Sequence, residues 1–345
     1  MVSMDRLEES ILRLHHEPCV YYPEALVHQA LMDDISSFMN ELDLFYSQWS
    51  KNPGIVQQPP KQLFGGSGVS GDWRVMPCAV DSFPCASQGL GGPIKVVKVI
   101  GTNEEQRVVP DKISVGKALL INPVDHHVEA IFDVAALSSY RTAAISVLAA
   151  KYCGYAQSQS VGIVGAGRIG YYTAAICSEW LGAENFFISD IDQDRALALA
   201  EIIASGFGRT SRCVPLLESS RLSQALFLAT TSKVPVLESS DAPFISSVGA
   251  DADNLAELAS GLISGRKIVS ESAQNIAFGD LRRWHLEGLI QIQDIHLLTD
   301  VIGSASRGEL PPAAVLFVST GTAVQDALVC SFVHNRLRGS GALAL

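Results

Sequence analysis

Apolar residues in the first fifty positions recur at a helical interval. Leu26, Val27, Ala30, Leu31, Ile35, Phe38 and Met39 keep roughly the spacing of one helix face, so residues 1 to about 50 read as helical. Residues 53–71 break that pattern with Gly, Pro and Gln and read as loop or irregular strand, Lys61 being the lone charge in QQPPKQLF. Residues 73–77 read as a strand, 89–93 as a turn, and 94–100 (IKVVKVI) as a β-branched strand that Lys95 and Lys98 interrupt. Residues 118–122 and 128–132 flank Asp125-His126-His127 and predict a hairpin. Residues 135–152 return to a helical pattern, with Arg141 in the middle. The first 135 residues therefore read as an α+β unit.

From residue 160 the pattern changes to alternating short apolar strands and helices. A strand at 161–164 meets the turn Gly165-Ala166-Gly167-Arg168-Ile169-Gly170, an amphipathic segment follows over 171–181, and a second strand at 186–188 ends at Asp190. Strand, glycine turn, helix, strand and acid in this order make a dinucleotide fingerprint. Gly165 allows the tight turn, Gly167 lets backbone approach a pyrophosphate, and Gly170 lets helix and strand pack closely. The amides opening the helix, at Arg168 and Ile169, then face the phosphates. Asp190, 20 residues after Gly170, is placed to accept hydrogen bonds from a ribose 2′-hydroxyl and would repel a phosphate there, which favours NAD over NADP.

The alternation continues with a helix at 195–205, a short strand at 213–214 and a strand at 226–229 ending in Thr230-Thr231, where cofactor contacts are expected. A strand at 244–248 delivers Gly249-Ala250-Asp251. Another at 268–269 precedes helices near 273–285 and 295–304. A last strand at 315–318 leads to Ser319-Thr320-Gly321, where Gly321 is a further candidate cofactor contact, and a helix from 322 to about 336 closes the chain. This half predicts a Rossmann doubly wound sheet of the α/β class.

Composition narrows the picture. A chain of 345 residues has room for two domains, and 48% hydrophobic with 18% charged residues describes a well-buried globular protein. A net charge of −11 argues against nucleic acid or an anionic membrane as partner. The apolar runs are strand length, and the charged N-terminus lacks an export core, so a cytoplasmic location is expected. Seven scattered cysteines without a CxxC suit a reducing compartment, and neither His15-His16 nor His126-His127 has metal-ligand spacing, so no metal is expected.

Four charged residues are candidates for chemistry. Lys95 and Lys98 lie on opposite faces of one strand, and a buried ammonium needs a partner or a polar cavity. For Lys98 the favoured reading is an edge lysine reaching water; for Lys95 spacing leaves the question open. Arg141, in the buried pattern of SSYRTAAIS, needs an anion, either a structural carboxylate or that of a substrate. Asp251 follows a strand on the ligand side of the sheet and reads equally as a functional acid or as the N-cap of a helix near 255–262.

SSYRTAAIS, VGAGRIG with Asp190, SSVGADADNLAEL and STGTAVQDA, in this order, resemble the ornithine cyclodeaminase and mu-crystallin family, from about Val56 to His334. The resemblance implies a Rossmann domain at 141–320 inserted into a substrate-binding and dimerisation domain formed by 1–140 and 321–345, with a homodimer expected. It also implies that Lys61 and Arg141 bind a substrate carboxylate, that Lys95 is the active-site lysine, and that Asp251 handles the amine or water. The activity so implied is an NAD-dependent oxidoreductase acting on the C–N bond of a small α-amino acid, as a dehydrogenase or by ornithine-cyclodeaminase-type deamination through an imine. Alternatives are an opine-type dehydrogenase, a ketimine reductase, or a crystallin-like binder without turnover. Two departures weigh against ornithine cyclisation: Arg74 stands in WRVMP where cyclodeaminases carry glutamate, and Leu255 in NLAEL where they carry lysine.

Overall fold

Two eight-stranded sheets with one buried helix between them carry the architecture. The computed structural model describes Ile11 and residues 18–65, 70–81, 92–103, 105, 108–109, 112–309, 313–338 and 343–344. The helical pattern at 1–10 and 12–17, and most of the turn expected at 89–93, lie outside the described residues.

The first sheet joins β1 (Val20–Tyr22), β2 (Val56–Gln57), β3 (Gln62–Gly65), β4 (Asp72–Val80), β5 (Ile94–Thr102), β6 (Ser114–Ile121) and β7 (Val128–Asp133). Its order is β1-β7-β6-β5-β4-β2, with β3 also pairing β4 and Leu343–Ala344 pairing β1. Neighbours from β4 to β7 are antiparallel, as the hairpin pattern predicts. Two helices follow β1, α1 (Glu24–Met32) and α2 (Ile35–Lys51). A three-residue strand is too short to register as a period, so β1 was not legible within the helical pattern.

Helix α3 (Val134–Ala150) is buried at every position from Ser139 onward. Apolar on all sides, it is the central element of the core. The domain boundary expected at residues 140 and 141 falls inside this single helix.

The second sheet is entirely parallel: β8 (Ser160–Val164), β9 (Asn185–Ser189), β10 (Thr210–Cys213), β11 (Ala225–Leu228), β12 (Phe244–Ser247), β13 (Lys267–Ser270), β14 (Ile295–Leu297) and β15 (Val315–Val318). Its order, β10-β9-β8-β11-β12-β15-β13-β14, is a Rossmann-type doubly wound sheet. The chain winds outward from β8 to β10, then crosses back to begin β11 on the other side of β8, and ligands bind at the carboxyl ends of strands flanking such a switch. Helices α4 (Arg168–Ile176) and α5 (Gln193–Glu201) follow β8 and β9. Of the helix expected over 295–304, the first residues form β14, and the helix runs Leu298–Ser306.

The C-terminal helix Ala323–Leu337 returns to the first sheet and packs on β4, β5 and α3. This return brings its one buried acid, Asp326, beneath β5. No helix among the described residues is long and apolar enough to cross a membrane.

Candidate active site

A cavity of about 960 Å³ lies between the two sheets. One wall comes from the first sheet and α3, with Arg74, Met76, Lys98, Ser138 and Arg141. The other comes from the strand ends of the second sheet, with Ala166 to Ile169, Thr231, Asp251 and Gly321.

On the first wall, strand parity decides which lysine takes part. Ile94, Val96, Lys98 and Ile100 point inward and are buried, while Lys95, Val97 and Val99 point outward. Lys98 is fully buried and does not reach water as an edge lysine. Its Nζ donates to Asp326 Oδ1 at 2.8 Å and forms an ion pair with Oδ2 at 2.7 Å. Lys95 lies on the opposite face of β5, and its Nζ bonds Pro123 O and His126 Nδ1 at 3.3 Å each, beside the β6–β7 turn. Of the two lysines, Lys98 lines the cavity. Burial pulls the Lys98 ammonium down to about 8, and Asp326 only partly offsets this.

Arg141 is buried in the same wall. Its Nε lies 3.2 Å from Asp326 Oδ1, while Nη1 donates to Gln325 Oε1 and Nη2 to Ser138 Oγ. The structural anion that the sequence left open is therefore Asp326, shared with Lys98. Gly321 lies against this guanidinium: a Cβ there would sit 2.2 Å from Arg141 Nη1, and its φ is +78°. No other residue type fits, so Gly321 shapes the arginine end of the cavity.

Arg74 joins the two walls. Asp72 holds its guanidinium through two bonds, at 2.8 and 3.1 Å, and its Nη1 donates to Asp251 Oδ2 at 2.7 Å. Burial works against the charge on Arg74, but Asp251 and Asp72 more than restore it. Burial likewise pushes the Asp251 carboxyl up, while Arg74, then Lys61, outweigh this and hold it below its ordinary range. Asp251 is not a helix N-cap, because only the short 3₁₀ turn Ser260–Ile263 follows it. Its partner comes from the other sheet.

Lys61 lies beside this group rather than in the main cavity. Its Nζ donates to Thr320 O (2.9 Å) and Thr320 Oγ1 (3.0 Å) and lies 3.8 Å from the centre of the Phe278 ring. Burial lowers it to about 7, with Asp251 acting in the opposite direction.

The glycine turn fits a dinucleotide. Gly165 has φ +99° and a Cβ there would meet Ala229 O at 2.5 Å, whereas Gly170 packs so closely that a Cβ would meet Gly165 O at 2.2 Å. A Cβ on Gly167 would meet nothing within 4 Å, so this side of the turn is open. No side chain caps α4, which leaves its first amides for a phosphate. Arg168 lines the cavity and lies 3.5 Å from Glu24. Asp190 accepts from Ala166 N (2.5 Å) and Asp192 N (2.8 Å), so it also orders the turn, and a carboxylate keeps lone pairs for a further donor.

Of the threonine pair, Thr231 lines the cavity, while Thr230 gives its N–H to Glu257. Glu257 was not singled out in the sequence. Fully buried, it also accepts from Gly249 N (2.8 Å) and Ser247 Oγ (2.7 Å), tying the loop after β11 to the loop that carries Asp251. Asp280 accepts the amides of Glu257 and Leu258 behind it. Acids inside otherwise apolar runs, as in NLAELAS and AVQDALV, were the available signal for Glu257 and Asp326.

Fold and site together define a Rossmann-type protein whose second, sheet-based unit supplies a charged wall facing the glycine turn. The chain belongs to the ornithine cyclodeaminase/mu-crystallin family, whose model matches residues 26–341. It is 26% identical over 297 residues to an alanine dehydrogenase of Archaeoglobus fulgidus, covering 81% of this chain and 84% of that protein. It is 27% identical to a Delta(1)-pyrroline-2-carboxylate reductase of Bacillus cereus, covering 75% and 82%. Among solved structures, Thermococcus litoralis Delta(1)-pyrroline-2-carboxylate reductase in complex with NADH and L-proline superposes with a TM-score of 0.82, at 21% identity over 94% of this chain and 99% of that one. An archaeal alanine dehydrogenase dimer with bound NAD gives 0.81, at 21% identity over 95% and 99%.

Proposed function

We propose that this chain is an NAD-dependent oxidoreductase acting on the C–N bond of a small α-amino or α-imino acid. The observation that carries the reading is the Arg74–Asp251 pair and Arg141 lining one cavity with the open glycine turn. Two guanidinium groups hold a substrate carboxylate and fix its orientation, with Lys61 adding a third cation at the edge. Asp251, kept ionised by Arg74, accepts from the substrate amine. Lys98, with a pKa near 8, both takes a proton from the substrate nitrogen and returns one at neutral pH. Asp326 keeps Lys98 and Arg141 together, so the proton carrier and the carboxylate clamp stay in register. The glycine turn Gly165–Gly170, the first amides of α4 and Asp190 would hold NAD, which would supply hydride transfer at the substrate carbon.

Alanine dehydrogenase and pyrroline-2-carboxylate reductase, the relatives above, both handle such a C–N bond, which supports this substrate class. The acids Asp190, Asp192 and Asp194 around the end of β9 support NAD over NADP. We infer a homodimer, as in the archaeal relative, with the outward apolar residues Trp73, Val99 and Val115 of β4–β6 as the surface that association covers.

The test is absorbance of the reduced nicotinamide with NAD or NADP and a panel of amino acids, beside an ammonia assay and the reverse reaction with imines. Turnover with NAD at least tenfold better than with NADP is expected. Equal use of NADP would overturn the argument from Asp190, and ammonia release from ornithine without net reduced cofactor would mean cyclodeamination.

A further inference from the structure

A second cavity, of about 370 Å³, shares Met76 and Gly321 with the wall of the first. It is lined by Pro59, Pro60, Ile276, Ala277, Phe278 and Ala323 among others, with Lys61 at its edge. We propose that this second cavity receives the side chain of the substrate and selects an uncharged, apolar one. The inference rests on the oxidoreductase reading above and names the substrate class of that site.

Three observations lead there. The first is position. Gly321 lies against Arg141 and, with Met76, lines both cavities, so a carboxylate held by Arg74 and Arg141 would have the second cavity adjoining it.

The second is the chemistry of the lining. Several of its polar groups are already engaged with the protein. Gln58 Oε1 accepts Val324 N–H at 3.1 Å, Asn275 bonds Thr320 Oγ1 and Ser270 Oγ at 2.7 and 2.8 Å, and Lys61 holds Thr320. The rest of the lining is proline rings, a methionine, an isoleucine, alanines and the Phe278 ring, with the polar Ser272, Gln274 and Thr322 beside them.

The third is charge. Among the described residues lining this cavity there is no carboxylate, and its only ion is the Lys61 ammonium. A side-chain ammonium, as ornithine or lysine carries, would be stripped of water beside a like charge. One free hydroxyl, Thr322 Oγ1, does not offset that. A cavity of about 370 Å³ has room for a long aliphatic side chain.

The experiment compares norleucine with ornithine, which share a chain length and differ by a terminal methyl against an ammonium, and uses alanine as a reference whose methyl does not enter the second cavity. Both kcat/KM and calorimetric binding to the NAD-loaded protein are measured. Norleucine is expected to exceed ornithine by about 100-fold or more in both. Ala277→Phe, at an exposed position that tolerates a larger side chain, is expected to lower norleucine kcat/KM about tenfold or more relative to that of alanine.

Ornithine within tenfold of norleucine, or Ala277→Phe affecting alanine and norleucine alike, would overturn the assignment. Alanine turnover reports separately on the oxidoreductase reading. If no amino acid is turned over, that reading fails, and the binding order still decides the side-chain assignment.

Discussion

Replacing Asp326 with Asn probes the most deeply buried charge in the site. Asp326 and Lys98 have no exposed side-chain surface and Arg141 has 9%, so one carboxylate neutralises two cations away from water. Asn keeps the shape and one acceptor but removes the charge. Breaking a buried pair by removing one partner costs about 3–5 kcal/mol. Part of this is recoverable, because Lys98 can lose its proton while the arginine cannot.

The pH dependence follows from the sign of the Lys98 shift. Its folded pKa of about 8 lies below the ordinary 10.5, so between those values the unfolded chain binds the extra proton and stability rises with pH. Below about 8 the buried ammonium depends on Asp326. In the variant Lys98 is neutral at pH 7. The stability gap between wild type and variant is therefore expected to be about 3 kcal/mol near pH 6–7 and to narrow toward pH 9, where the wild-type lysine is also losing its proton. Urea unfolding of both proteins from pH 6 to 9 measures the gap directly. A gap that stays constant or widens with pH would refute the coupling of Lys98 to Asp326, and one under about 1 kcal/mol throughout would refute the burial argument.

Two further outcomes are expected. Lys61, lowered to about 7, is a cation below that pH and loses its charge above it, so KM for the amino acid should rise about tenfold from pH 6 to 8. Lys61→Arg should flatten that rise because guanidinium stays charged, and an identical profile in the variant would remove Lys61 from carboxylate binding. Glu257→Gln places an amide donor among three groups that donate to the native carboxylate, so a stability loss of about 1–3 kcal/mol is expected with a fall in kcat. Unchanged kcat in a destabilised variant would limit Glu257 to a structural role.

The cofactor end was legible in the sequence because its elements are local. A β-branched run, three glycines at fixed offsets, an amphipathic helix and an acid 20 residues on lie within one short stretch, and each glycine does what backbone sterics require of it. Arg141 was legible as a cation needing an anion, since a guanidinium in a wholly apolar helix cannot stay unpaired. Asp251 was legible as an acid at a strand end. Its partner was not, because Arg74 is 177 residues away and on the other sheet.

The lysines mark the limit most clearly. Period-two alternation in IKVVKVI separates Lys95 from Lys98 onto opposite faces, and the sequence determines that much by itself. Which face is buried depends on where α3 and the C-terminal helix pack, and the acid that makes a buried Lys98 tolerable is Asp326, 228 residues later. Strand parity is local and can be read along the chain. The side of a sheet that becomes the interior is a property of the packing of distant elements, so only the tertiary structure decided which lysine lines the cavity.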